Sequence, residues 1–431
     1  METNPTRMCE LLVGLPDVAV LGVDGDEEGR PIRVHVETSG RRPDCPCCGV
    51  VAVAKDRAPV TLIDLPAFGA TASLVWHKRR WSCPDRDCAK GSWTEQEPRI
   101  AAPSMAMTDR AGRWVTAQVG RHGRSVNEVA GDLGCDWHTV NDTVCGYGKA
   151  LVDHPGRYAA VAALGMDEVL FVRRGAYRTK EFTTQLVDVD SAQLLDVVPG
   201  RSGKGPKEWI EKKGESWRQG VAVGTLDLSG PYRAVFADKL PHATLVADPF
   251  HLIKLANTKL DECRRRVQNE TLGHRGRKDD PLYRCRRLLS KAHERLEGAG
   301  EEKLLGLLRA GDPNGEVTTA WHAKEAVRGI YAHDDADLAS QWVDELIVDM
   351  ASEDKPTEVR SLARTLIRWK DQIVAWHKVK LTNGPTEAAN NLIKRVKRTA
   401  FGFRSFANYR IRSLLYAGKP DWSLLATIAP R

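Results

Sequence analysis

Long apolar runs are absent from this 431-residue sequence: none approaches the roughly 18 consecutive residues that a membrane-spanning helix needs, so no membrane role is expected. A basic leader followed by a small-residue cleavage site is also missing. The apolar stretch from Leu11 to Val23 is broken by Pro16 and Asp17, runs into Asp24, and reads instead as an edge strand. Without a secretion signal, the ten cysteines point to a reducing, cytoplasmic setting, where paired cysteines hold metal more often than they form disulfides. Acidic residues are missing from one further place. Between Asn390 and Arg412 the chain carries Lys394, Arg395, Lys397, Arg398, Arg404, Arg410 and Arg412 with no Asp or Glu, a local stripe of the kind that tracks phosphates. Otherwise 42% hydrophobic and 28% charged residues are ordinary for a globular protein, and the length suggests about two to four domains. The net charge of +7 favours an anionic partner without identifying it.

Four of the cysteines have ligand spacing. Cys45-Pro46-Cys47-Cys48-Gly49 and Cys83-Pro84-Asp85-Arg86-Asp87-Cys88 lie in a region of short strand signals, Val60 to Leu65 and Ala70 to Trp76 among them. Two such knuckles supply four thiolates to one tetrahedral Zn2+, with Cys45, Cys48, Cys83 and Cys88 as the expected ligands and Cys47 an alternative to a neighbour. The cysteines at 9, 135, 145, 263 and 285 show no such spacing and read as core thiols.

From about residue 104 the pattern turns helical. Ser125 is a candidate N-cap, Val126, Val129, Ala130 and Leu133 form an apolar face, Gly134 permits a turn, and Trp137 to Val144 reads as a second helix. This has the form of a helix-turn-helix, in which Arg124, Trp137, His138, Thr139 and Asn141 are the side chains expected to meet DNA. Strand signals follow at Val161 to Val172, Glu181 to Val189 and Gln193 to Val198. A helix is expected around Pro206 to Arg218, a strand at Val221 to Leu228, a helix at Pro231 to Lys239 and a strand at Ala243 to Ala247. That order is one of several mixed α/β arrangements, an RNase H-like fold among them. Residues 252 to 380 read as almost entirely helical. The clearest helix runs from Thr357 to about His377, with Val359, Leu362, Leu366, Trp369, Ile373 and Trp376 on one stripe.

Three acids stand out by position. Asp167 lies in the strand signal Leu164-Gly-Met-Asp-Glu-Val-Leu170, Asp227 ends the strand beginning at Val223, and Glu387 opens a helix in Asn383-Gly-Pro-Thr-Glu387. Two carboxylates on strands and one on a late helix can converge on the pair of divalent ions that phosphodiester chemistry commonly uses. Glu168 points to the opposite face of its strand from Asp167, so only one of the two lines a cleft.

The chain resembles the ISL3 insertion-sequence transposases. The resemblance runs over nearly its whole length: the knuckles with Lys78-Arg79-Arg80-Trp81-Ser82-Cys83, the helix pair, Gly165-Met-Asp-Glu168, Thr244-Leu-Val-Ala-Asp-Pro-Phe-His-Leu-Ile-Lys254, and Asn383 through Arg404. It implies a DDE-type DNA transposase with an RNase H-like mixed sheet interrupted by a helical insertion and preceded by a zinc-ribbon-like module and a helix-turn-helix. The expected domains are 1–100 (zinc module), 101–155 (helix-turn-helix), 156–256 (first part of the core), 257–380 (insertion) and 381–431 (final catalytic helix and basic segment). Asp167, Asp227 and Glu387 match the family's three acids and imply Mg2+ or Mn2+. Asp248, in the more distinctive block, is the alternative to Asp227, but it follows the fifth strand rather than the fourth. Asp248 and His251 are therefore assigned supporting roles.

Asn391, Lys394, Arg395, Lys397, Arg398 and Arg404 are expected on phosphates. The implied partners are double-stranded DNA, as terminal inverted repeats and as target, and a second copy of the chain, because two ends must be brought together. The implied setting is the bacterial nucleoid. Two other readings follow from the residues: a zinc and helix-turn-helix regulator with an inert core, which the presence of all three acids disfavours, and an RNase H-like nuclease that cuts without joining, which the two N-terminal modules disfavour.

Overall fold

The structure is a computed structural model that describes residues 2, 4–25, 31–157 and 160–430. They form two compact units, Met1–Ala159 with Asn391–Arg431, and Ala160–Asn390. No helix among the described residues is long and apolar enough to cross a membrane.

The first unit begins with α1 (Pro5–Val13), whose last three residues lie in the Leu11 to Val23 stretch expected as an edge strand. The local chemistry favours the helix: the Asn4 side chain accepts from the Arg7 N–H, Pro5 opens the first turn, and Gly14 closes the helix at φ +64°. The strand starts only at β1 (Val18–Asp24), which does lie at the sheet edge. It is followed by β2 (Ile32–Thr38), the long pair β3 (Val53–Ala67) and β4 (Ala70–Ser82), and short β5 (Ser92–Thr94). The order is β1-β2-β4-β3 with β5 on β4, antiparallel except for β2 with β4. Val18, Val36, Leu62, Leu74 and Trp76 pack with Ile100 and Ala101 to bury its inner face.

α2 (Asp109–Thr116) widens into a π-turn over Ala117–Arg121, and α3 (Val126–Leu133) and α4 (Trp137–Val152) follow. Ser125 and Glu128 form a reciprocal capping box at the start of α3, and Gly134 ends it at φ +63°. α4 is two turns longer than expected because Tyr147, Leu151 and Val152 extend its buried face.

The second unit is built on β6 (Ala163–Arg174), β7 (Thr179–Asp188) and β8 (Gln193–Pro199). Two short helices, α5 (Lys204–Glu211) and α6 (Glu215–Gly220), replace the single expected one, the break falling at Lys212 to Gly214. β9 (Val223–Leu226), α7 (Gly230–Lys239) and β10 (Thr244–Ala247) complete the sheet. Its order is β10-β9-β6-β7-β8, with β10, β9 and β6 mutually parallel and β6, β7 and β8 antiparallel. Six helices follow: α8 (Pro249–Leu272), α9 (Pro281–Leu289), α10 (Gly298–Gly311), α11 (Glu316–Gly329), α12 (Ala336–Ala351) and α13 (Thr357–Val379). The expected stripe on α13 is buried from Val359 to Ile373, while Trp376 is half-buried. α14 (Gly384–Thr399) begins in this unit, and α15 (Phe406–Ala417) packs on α4 in the first.

Candidate functional site: a carboxylate cluster and a cysteine cluster

Strand register brings the first two acids together. β6 and β9 run parallel with Met166 opposite Leu226, so Asp167 and Asp227 each follow one member of a neighbouring pair. In the next strand Ala247 stands opposite Leu226, and Asp248 follows it. All three acids thus lie beyond matched positions on three adjacent parallel strands, where open α/β sheets place their ligands. Asp248 is also the N-cap of α8, with Pro249 in the first turn.

The first turn of α14 closes the cluster. Asn383 Nδ2 donates to Asp227 Oδ1 at 2.9 Å, and its backbone N–H donates to Asp248 Oδ1 at 3.0 Å. Two turns on, Asn390 Nδ2 donates to Asp167 Oδ2 at 2.5 Å. Glu387 lies between them in sequence, on the side reached by His251. His251 Nε2 is 3.0 Å from Asp227 Oδ2 and 3.5 Å from Glu387 Oε1, while its Nδ1 is 2.9 Å from Asp248 Oδ2. The close approach of α14 to β6 depends on Gly165, where a Cβ would stand 2.1 Å from Oγ1 of fully buried Thr386. The Glu168 carboxylate makes no hydrogen bond or ion pair with these side chains, although its backbone N–H donates to Asp167 Oδ1 at 2.7 Å.

Burial and mutual repulsion govern the charges. Burial, then the neighbouring Asp227 charge, pushes the Asp167 carboxyl up to about 7. Burial raises Asp227 as well, against the pull of His251 and the Asn383 amide. For His251 burial alone would lower the pKa, but the Asp248 hydrogen bond and the Asp227, Asp248 and Glu387 carboxylates leave it raised. When protonated, the imidazole supplies positive charge inside a ring of acids. Asp248 differs from the others: it is 3% exposed, and its two oxygens are taken by the Asn383 N–H, the His251 N–H and His251 Nδ1. Asp167 Oδ1 accepts from the Glu168 N–H at 2.7 Å and Asp227 Oδ2 lies against His251 Nε2, but the Asp227 and Glu387 side chains stay 23% and 40% exposed, where a further partner can reach them. Hard carboxylate oxygens whose ionisation wants a counter-charge suit a hard divalent cation such as Mg2+ or Mn2+.

A second cluster lies in the first unit. The sulfurs of Cys45, Cys48, Cys83 and Cys88 all fall within 4.8 Å of one another, with Cys45 to Cys88 at 3.7 Å and Cys48 to Cys83 at 3.4 Å. Four sulfurs at the usual Zn–S distance of about 2.3 Å stand roughly 3.8 Å apart, so the set fits one tetrahedral ion. Gly49 at φ +78° turns the first knuckle, and the backbone N–H of Cys48, then that of Cys47, draws the Cys45 thiol down to about 7. Cys47 is exposed and outside the group. Of the other cysteines, Cys263 and Cys285 are buried as expected, while Cys9, Cys135 and Cys145 are half-buried.

The side chains expected on DNA divide. Trp137, His138, Asn391, Lys394, Arg395, Arg398 and Arg404 are exposed, and Thr139 and Lys397 are half-buried. Asn141 is 5% exposed, its amide bonded to Asn408 of α15 and to Asp142, so it is set into helix packing rather than presented to solvent. Arg124 is ion-paired with Asp132 at 2.7 Å. The basic stripe is likewise interrupted: Arg412 is buried with its guanidinium over Phe403, and Arg410 faces Asp153 at 3.4 Å.

Sequence reasoning passed over Asn383, Thr386, Asn390 and Gly165. The signal was present: Asn383 and Asn390 bracket Glu387 within one short block, and Asn390 falls three residues beyond it on the same helix face.

Comparison with known proteins gives these clusters a common setting. Residues 164–413 match a family model described as transposase, the DDE transposases of the ISL3 group, and residues 41–88 match one described as the zinc-finger of transposase IS204/IS1001/IS1096/IS1165. The transposase for insertion sequence element IS1001 of Bordetella parapertussis is 23% identical over 412 residues, covering 92% of this chain and 95% of that protein. The transposase for IS1557 of Mycobacterium tuberculosis is 24% identical over 363 residues, covering 76% and 79%. The first match contains all three strand and helix acids and the second all four clustered cysteines, and together with a relative aligned almost end to end they establish that this chain belongs to the ISL3 family of DDE-type transposases.

Proposed function

We propose that Asp167, Asp227 and Glu387 hold the divalent ions with which this transposase cleaves strands at the terminal inverted repeats of its element and transfers them to target DNA, and that Cys45, Cys48, Cys83 and Cys88 hold its zinc. The observation that carries the first assignment is the convergence of Asp167 and Asp227, each one step past a matched pair on neighbouring parallel strands, with Glu387 reached through a single imidazole. The strand order β8-β7-β6-β9-β10 supports reading the sheet as an RNase H-like core interrupted by the helices of 257–380. The capped pair α3 and α4 supports reading 101–155 as a helix-turn-helix beside a zinc module in 1–100.

When bound, such ions activate the attacking hydroxyl and stabilise the departing oxygen. The chain's own residues prepare the site. The Asn383 amide holds one oxygen of Asp227, and His251 Nε2 faces the other. Asn390 holds one oxygen of Asp167, and the Glu168 N–H holds the other. Asp248, saturated by three donors, orients His251 and anchors the start of α14 through the Asn383 N–H, a positioning role rather than a ligand's. The exposed Lys394, Arg395 and Arg398 on α14 engage backbone phosphates, and Trp137 and His138 at the start of α4 face the repeat. A homodimer or larger assembly follows from the need to bring two element ends together.

The test is incubation of the wild type and Glu387→Gln with duplexes carrying the terminal repeats and Mg2+. Cleavage by the wild type alone is expected. Equal cleavage by both removes Glu387 from the chemistry, and binding without cleavage by either favours the regulator.

A further inference from the structure

The turn after α14 is built against the preferences of the residue it contains. Gly402 N–H donates to the Lys397 carbonyl at 2.9 Å and Phe401 N–H to the Arg398 carbonyl at 3.0 Å, the bond pair of a Schellman helix end. In that motif the residue at Phe401 must turn left-handed, and it does, at φ +53°. Glycine takes that conformation without a steric penalty, and a bulky aromatic side chain is among the worst choices for it. The side chain gains nothing in return from the fold: Phe401 is 97% exposed, with its ring in water. Gly402 follows at φ +98°, so the glycine is present one position late and the aromatic ring is kept at the apex. A residue disfavoured by both backbone and solvation marks a functional position more often than an accident.

The surroundings say what the ring meets. Arg398 and Arg404 on either side are exposed, Lys394 and Arg395 are exposed one turn earlier, and no acidic residue occurs from 391 to 412. A cationic rim draws a polyanion and repels other cations, while an apolar ring at its centre needs a flat, weakly polar face. A nucleobase lifted out of its stack, within a sugar-phosphate chain, offers both. A second protein copy would have to bring acidic groups around an apolar pocket, and a membrane would call for a larger apolar face than one ring.

We propose that Phe401 is a wedge that stacks on an unstacked base of the element-end DNA, held at its apex by a helix end strained for that purpose, while Arg398 and Arg404 grip the flanking phosphates. This rests on the chain acting on its own element's ends. It adds a binding residue that lies outside the carboxylate cluster.

The experiment uses full-length protein carrying Glu387→Gln, so that the strand stays whole, with and without Phe401→Gly. The probe is a duplex of terminal repeat and flank with 2-aminopurine placed at successive positions across the junction. The parent is expected to brighten the probe at one position, and Phe401→Gly to abolish that signal and weaken binding by roughly 5- to 150-fold, the worth of one stacked base. Phe401→Trp should keep both. The melting temperature of Phe401→Gly should equal or exceed the parent's, because glycine relieves the left-handed turn.

Brightening and affinity equal to the parent's in Phe401→Gly overturn the wedge while leaving the transposase reading intact, whereas failure of both proteins to bind repeat DNA overturns end recognition itself. A fall in melting temperature would make Phe401 a structural residue. A drop in assembly size for Phe401→Gly by sedimentation without DNA would make it a contact between copies.

Discussion

Replacing Gly165 by alanine tests how the helix carrying Glu387 is seated. The new methyl would lie 2.1 Å from Thr386 Oγ1 and 3.1 Å from both Thr225 Oγ1 and Val189 Cγ2, against an ordinary contact of 3.4 Å or more. Thr386 is fully buried, so its side chain has little room to rotate away. The first turn of α14 must instead retreat by about 1 Å, which moves Glu387 away from Asp227 and stretches the Asn383 and Asn390 bonds. Overpacking of this kind costs about 1 to 3 kcal/mol of stability, and a misplacement of about 1 Å at a reacting centre costs on the order of 100-fold in rate.

The assay is single-turnover cleavage of terminal-repeat DNA alongside thermal unfolding. The Thr386 hydroxyl is buried and makes no hydrogen bond, so Thr386→Ala alone should affect rate little, and combined with Gly165→Ala it should restore at least tenfold. Wild-type cleavage by Gly165→Ala, or a double variant no faster than the single, would refute this account of the site.

Other outcomes follow from the same geometry. Asn383→Ala removes the amide that orients Asp227 and should weaken Mn2+ binding about 10- to 100-fold, read by calorimetry, with a fall in melting temperature because the side chain is fully buried and also holds the Thr225 hydroxyl. Asp167, raised to about 7 from a free value near 3.9, holds its proton more tightly when folded than unfolded. Metal-free stability should therefore fall as pH rises from about 4 to 7 and level off above, while Mn2+ affinity climbs up to tenfold per unit toward 7 and then flattens; a pH-independent affinity between 5.5 and 8 would contradict the assignment. One zinc per chain is expected by mass spectrometry of the native protein, lost in Cys83→Ser and retained in Cys47→Ser.

What the sequence disclosed depended on the distance over which the chain must be read. The strands of the second unit were legible because their apolar runs are long and bounded by turns, and the knuckles because their spacing is local. The edge strand was started too early, at Leu11, where only apolar content was weighed, although Asn4, Pro5 and Gly14 mark a helix that ends at Val13. The break between α5 and α6 lies at Lys212 to Gly214, hidden inside a helical pattern.

Asn141 looked like a DNA contact because the face that α4 buries is determined by α15, more than 260 residues later. The acids themselves could be nominated from position and resemblance. Their amide partners stood in the same short block as Glu387, but which acid each would hold could not be read, since Asn390 meets Asp167 across 223 residues and Asn383 meets Asp227 across 156. Likewise nothing local indicates that Gly165 is small because Thr386 packs on it.

The most direct test of the account is anomalous diffraction from crystals grown with Mn2+. Peaks are predicted among Asp167, Asp227 and Glu387, at most two and about 3.5 to 4 Å apart, with Asp248 still bonded to the Asn383 N–H. Manganese bound instead by Asp248 and His251 with Asp227 or Glu387 turned away, or no peak at the cluster in protein that cleaves its repeats with Mn2+, would contradict it.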